Sequence, residues 1–221
     1  MMGNRGGRFH KTDFCRDVSV FNSDKRLRNP ELRRANSRIT NSHRPWAAKQ
    51  WICCVLDFKN RQRNVWGDGY TELFFLDEVT ALSAGHRPCF ECRRADAKAF
   101  QAALFTSHGA HNGWLSPPKV AVMDALLHTA RIQNQHRRAR LETLPVGAMF
   151  KIGETVFAKA THGLLAWTFD GYCRAQKIRN TLDVTVLTPE PILGVLLAGY
   201  QPKWHISAHE QTSAKDTCND D

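Results

Sequence analysis

What the chain lacks narrows the reading first. It has no long hydrophobic run: the longest, Ile192 to Ala198, is far too short to span a bilayer. The opening Met-Met-Gly-Asn-Arg-Gly-Gly-Arg carries no apolar stretch of the export type. There is no phosphate-binding glycine loop, no nucleophile elbow and no dinucleotide fingerprint. Cys173 has no His or Asp beside it that would make it a nucleophile. No internal repeat is visible. These absences lower the weight of the common enzyme classes and argue against a membrane role.

Acidic residues are also in short supply. Lys and Arg number 31 against 21 Asp and Glu, a formal net charge of +10. The excess is concentrated at one end, where residues 1–45 hold eleven Lys/Arg and four Asp/Glu. Such a balance favours a polyanionic partner, DNA with RNA as the alternative, and sequence-neutral phosphate contacts. A solvated basic surface is the plainer alternative. With 42% hydrophobic residues the 221-residue chain has enough apolar material for a core.

Seven cysteines, an odd number, point to thiols that are free or on metal rather than paired, and so to a reducing, cytoplasmic setting. Two of them stand out. Gly85-His86-Arg87-Pro88-Cys89-Phe90-Glu91-Cys92-Arg93-Arg94 places two thiols three residues apart between a turn and a helical pattern. That spacing lets both reach one tetrahedral zinc ion. The other reading is a metal-free pair at a helix start, made acidic and redox-sensitive by its position.

The expected fold is α+β. Residues 1–45 read as a flexible basic arm, with a short strand near Arg8-Phe9-His10. Trp51–Phe58 reads as a strand, Lys59–Arg63 as a hairpin connection, Asn64–Trp66 and Tyr70–Phe75 as further strands, and Gly67–Gly69 as a turn. Asp77 is placed to cap a helix over 78–84, with Gly85 as its left-handed stop. Helices follow over 95–105 and 120–132, with a loop over 107–118. Residues 46–140 thus form a small antiparallel sheet with helices around the Cys-x-x-Cys site. Residues 145–206 carry short strand candidates at 148–152, 155–158, 164–168 and 184–187, a compact antiparallel β unit for which a small barrel is one arrangement, with a helix over 192–198. Residues 207–221 read as a disordered tail.

The segment from Glu72 to Arg94 resembles the second half of the Ada-type metal-binding module of bacterial alkylation-repair regulators. The shared pattern is a strand ending in Phe-Phe, a capped helix, Gly-x-Arg-Pro-Cys-x-x-Cys and a helix. The resemblance covers about two dozen residues. It implies a structural zinc held by four thiolates on a small α/β module that contacts DNA, with Cys89 and Cys92 as the downstream ligand pair. In the repair members an upstream zinc-bound cysteine accepts a methyl group from a DNA phosphotriester. The upstream Cys-x-x-x-Cys half has no counterpart here, so the acceptor position has no matched residue.

The nearest other thiols are Cys53 and Cys54. Neighbours on a strand point to opposite faces, so one of them joins the pair and the other packs inside. Cys54 is the expected third ligand, with the fourth open between His86, Cys53 and a histidine from elsewhere. His108 and His111, expected in a loop, are such candidates; His128 is expected to be a partly buried helix residue. Arg87, Arg93, Arg94, Arg137 and Arg138 are the candidate nucleic-acid contacts, because a planar guanidinium bonds two phosphate oxygens at once. Pro88-Cys89-x-x-Cys92 also matches part of the zinc-deaminase signature, but no His-x-Glu precedes it. The expectation is a zinc-binding, DNA-associated protein, with DNA repair or its regulation as the setting the resemblance implies. The alternatives are a zinc- or cysteine-based enzyme (alkyl acceptor or hydrolase) and a zinc-stapled protein-interaction module.

Overall fold

A computed structural model describes residues 2–5, 48–59, 74–133, 137–175, 178–179 and 181–210. The expected strand at Arg8–His10, the rest of the basic arm, the hairpin and strand expected between 60 and 73, and residues 211–221 lie outside these residues.

The first sheet gathers four very short strands. They are β1 (Met2–Arg5), β2 (Ile52–Cys54), β3 (Phe74–Phe75) and, after helix α1 (Glu78–Ser83), β4 (Arg87–Pro88). The order is β3-β1-β2-β4. β1 runs antiparallel to both β2 and β3, whereas β2 and β4 are parallel, with Ile52 opposite Arg87 and Cys53 opposite Pro88. The expected antiparallel sheet is therefore mixed. A helical crossover, α1, makes the parallel pairing possible. β1 also puts a strand within the stretch read as a flexible arm.

The start of α1 is chemically specified. The Asp77 carboxylate accepts from the Thr80 amide at 2.9 Å, and the Thr80 hydroxyl accepts from the Asp77 amide at 3.2 Å, a reciprocal capping box. Its end is fixed by Gly85, whose φ of 80° belongs to glycine. A Cβ there would also lie 2.6 Å from the Arg131 side chain.

Two longer helices follow, α2 (Arg94–His108) and α3 (Val120–Ile132). The second sheet then assembles from β5 (Arg137–Arg140), β6 (Met149–Ile152), β7 (Thr155–Ala160), β8 (Gly163–Trp167), β9 (Tyr172–Arg174) and β10 (Asp183–Val186). Its order is β5-β10-β6-β7-β8-β9, antiparallel throughout. β5 and β9 end the sheet unpaired with each other among the described residues, so it is open rather than a barrel. β5 falls within the stretch assigned to the cysteine module, but it hydrogen-bonds to β10 and belongs to this sheet. Helices α4 (Glu190–Leu197) and α5 (Ile206–Glu210) complete the order, and α5 gives helical structure to the start of the expected tail.

Alternation along the strands sends side chains into two cores. Met149, Val156, Ala158, Leu165 and Tyr172 pack against Cys53, Phe75, Leu76, Val79 and Ala81 of the first sheet and α1. Phe150, Phe157, Val184 and Val186 cover the other face with Leu141, Leu144 and Leu193. A third cluster joins Phe100 and Leu104 of α2, Met123 and Leu127 of α3, and Ile192 and Val195 of α4. The fold is α+β, and the two sheets share one core.

Candidate metal centre

β2 and β4 bring together thiols separated by 35 positions in sequence. The Cys89 amide donates to the Cys53 carbonyl at 3.1 Å, continuing the parallel ladder and setting Cys89 beside Cys54. The chain then turns through Phe90 and Glu91, ahead of α2, and returns Cys92 to the same place. The sulfurs of Cys54, Cys89 and Cys92 all lie within 4.8 Å of one another. Tetrahedral zinc thiolate bonds of 2.3 Å put sulfurs about 3.8 Å apart, so small adjustments bring all three onto one ion. Cys54 and Cys89 are buried and Cys92 is half-buried.

The electrostatics suit a cation. The Glu91 amide donates to the Cys89 sulfur at 3.4 Å. Hydrogen bonding by the Cys54 thiol, joined by the backbone amides of Cys92 and Glu91, draws the Cys89 pKa down to about 5. Cys54 is correspondingly pushed up, as the proton donor of the pair. One thiolate, on Cys89, is thus favoured with no metal counted, while burial holds the Cys92 pKa up as well. Soft thiolate donors of this kind suit zinc and other thiophilic ions rather than magnesium or calcium.

As alternation requires, one of the two neighbours faces away from the cluster, and it is Cys53. It is fully buried in the core shared with the second sheet, and burial drives its pKa up to about 12. His86 also stays outside the cluster. It is buried between Trp51 and Phe75, with ring centroids 5.2 and 4.7 Å away. Burial, with Arg131 nearby, pushes its pKa down to about 3. His108 sits at the end of α2 rather than in a loop, bonded to Ser107 and Glu190. His128 is buried on α3. Among the described residues no fourth side chain joins the three cysteines.

Two of the five candidate phosphate contacts are corrected. Arg87 is 1% exposed and its Nε and Nη2 hold the two oxygens of Asp124 at 2.7 and 2.9 Å. Arg93 is 4% exposed, with Nη2 2.7 Å from Glu78 and 2.8 Å from Asp96. Both guanidinium groups are already neutralised inside the protein, so neither presents a fork to a phosphate. Arg94 opens α2 at the surface, and Arg137 and Arg138 are exposed on the edge strand β5. Arg140, beside them, pairs with Glu142 at 3.2 Å. Of the tryptophans, Trp51 is in the core beneath the Arg131 guanidinium at 4.2 Å, and Trp114, Trp167 and Trp204 are half-buried.

Glu78 carries more of the site's architecture than its sequence position suggests. It is fully buried and accepts from Tyr200 Oη at 2.6 Å and the Lys203 amide at 2.9 Å. Those partners lie more than a hundred positions away, and no local pattern announces them. Cys173, expected free, is disulfide-bonded, whereas Cys53, Cys54, Cys89 and Cys92 are free thiols. No helix among the described residues is long and apolar enough to cross a membrane.

Comparison with protein-family models, with curated proteins and with solved structures finds no match for this chain.

Proposed function

We propose that this is a zinc-binding, DNA-associated protein in which Cys54, Cys89 and Cys92 hold the metal. The observation that carries the reading is the convergence of those three sulfurs from two parallel strands and the turn that follows. Three thiolates suffice to anchor zinc, whose fourth position is then filled by a ligand outside this trio. Bound there, zinc would tie β2, β4 and the start of α2 into one unit. The chain's own groups prepare the place by lowering the Cys89 pKa and by pointing the Glu91 amide at its sulfur.

DNA association is supported by the net charge of +10, by its concentration in residues 1–45, and by Arg94, Arg137 and Arg138 at the surface. Elemental analysis of the reduced protein tests the metal: one zinc per chain, lost in Cys89→Ser with Cys92→Ser, is expected. Absence of zinc from the reduced wild type sinks that half. Binding to random duplex DNA over a salt series tests the other half, with affinity expected to fall steeply as salt rises. Affinity indifferent to salt, or no binding at low salt, removes it.

A second reading, a cysteine that accepts an alkyl group, draws on the lowered pKa of Cys89. A thiolate is the nucleophilic form of cysteine. Incubation with methylated DNA followed by mass spectrometry should then place a methyl group on one of the three thiols. An unmodified chain ends that reading.

A further inference from the structure

Cys53 takes no part in the metal cluster, yet its sulfur has a specific partner. Arg93 Nη1 donates to it at 3.1 Å. Arg93 directly follows Cys92, as Cys53 directly precedes Cys54. Two adjacent pairs therefore meet across the same gap. On one side the Cys54 and Cys92 sulfurs face each other; on the other, Cys53 and Arg93 are bonded.

The guanidinium is held immobile from behind. Its Nη2 lies 2.7 Å from Glu78 Oε2, and its Nε and Nη2 lie 3.0 and 2.8 Å from Asp96 Oδ2. Glu78 is itself pinned by Tyr200 and Lys203, and Asp96 also receives the Lys203 ammonium at 2.8 Å. A thiol is a weak acceptor. Where it is the acceptor for a buried arginine, the contact fixes geometry more than it adds stability.

We infer that Arg93, acting through Cys53, is a positioning residue for the metal centre: it sets the spacing between β2 and the turn carrying Cys92 before a metal binds. The inference rests on the reading that Cys54, Cys89 and Cys92 hold a metal. Besides the clamp, the Cys89 amide bonds the Cys53 carbonyl at 3.1 Å, the Arg93 amide bonds the Cys89 carbonyl at 3.0 Å, and the Val55 amide reaches the Cys92 sulfur. Without the clamp the spacing of the Cys92 sulfur from β2 rests on these remaining bonds, and any ordering left to the ion lowers affinity. Groups that orient metal ligands from behind typically contribute about 10–100-fold to affinity.

Removing Arg93 would strand the buried Glu78 carboxylate and test folding instead, so Cys53 is the position to vary. Zinc affinity is measured by competition with a chromophoric chelator on the full, reduced chain, for wild type, Cys53→Ala and Cys53→Ser. The melting midpoint of each metal-free protein is recorded alongside. Cys53→Ala, which has no acceptor, is expected to bind zinc about 10-fold more weakly. Cys53→Ser, which restores an acceptor for Arg93, is expected to recover most of that loss, although a hydroxyl suits an apolar core less well than a methyl. A purely structural role predicts the opposite: affinity follows the melting midpoint, and Ser is no better than Ala. Equal affinities for wild type and Cys53→Ala, or no rescue by Ser, overturn the inference while leaving the metal site intact. A wild type that binds no zinc overturns both.

Discussion

In the six-stranded sheet the strands run three to six residues and both faces are covered by apolar side chains, Met149 and Val156 on one and Phe150 and Phe157 on the other. In the four-stranded sheet β3 and β4 are two residues each, and the polar groups are packed just as deeply as the apolar ones: Arg87, Arg93, Glu78 and Asp77 are all buried. The larger sheet is held by area removed from water, the smaller by paired charges, caps and thiols. Apolar packing tolerates small shifts, whereas a bidentate ion pair or a metal ligand set does not. Geometry is thus most tightly specified where the cysteines converge.

The comparison can be broken by truncating each side in turn. Arg87→Ala leaves the Asp124 carboxylate buried without its partner and should cost about 3–5 kcal/mol. It should also weaken zinc binding, since Arg87 lies two residues before Cys89 on β4. Replacing both partners, Arg87→Met with Asp124→Leu, should recover much of the stability, because two matched apolar groups need no compensation. Phe150→Ala in the larger sheet should cost a similar amount, about 3–5 kcal/mol, yet leave zinc affinity unchanged. Denaturant melts and chelator competition on the three variants check both halves. Equal effects on zinc from Arg87→Ala and Phe150→Ala would dissolve the distinction.

A smaller effect comes from acid. His86 has its pKa held near 3 in the folded protein against an ordinary 6.5. Between those values the unfolded chain binds a proton that the folded one refuses, so stability rises with pH through that window and is complete above it. At about 1.36 kcal/mol per unit, His86 should make the metal-free protein roughly 2–3 kcal/mol less stable at pH 4.5 than at pH 7. His86→Phe should remove that part of the slope, which urea titrations at the two pH values would reveal. Asp77→Ala should cost about 1 kcal/mol for the lost cap, read as a shift in the melting midpoint. The smallest change in stability belongs to Arg138→Ala on exposed β5: within about 0.5 kcal/mol, while its salt slope for DNA falls by about one.

Local chemistry was readable from the chain wherever a residue acts on its neighbours. Asp77 and Thr80 form the cap, Gly85 ends the helix, and α3 runs over the very span that its apolar stripe marks, 120–132. Strand alternation showed that only one of Cys53 and Cys54 can join the pair, but not which one. What escaped is non-local. Arg87 looks like any basic residue until Asp124, 37 positions on, is placed against it. β5 is three arginines and an alanine, a pattern with one small apolar residue to betray the inner face; Ala139 packs inward while Arg138 faces away. The three-residue β9 and the partners of Glu78 carry no periodic signal at all.

The bonds from Tyr200 and Lys203 to Glu78, and from the His205 amide to Asp77 at 3.0 Å, span 122, 125 and 128 residues of chain. A ribosome releases Cys54, Cys89 and Cys92 well before it makes those partners. During that interval the thiols exist on a nascent chain whose rear support has not yet been translated. Early metal capture would hold the ligand set together until the carboxyl-terminal residues arrive. Chelator present during synthesis should therefore lower the yield of native protein more than the same chelator added to the finished chain.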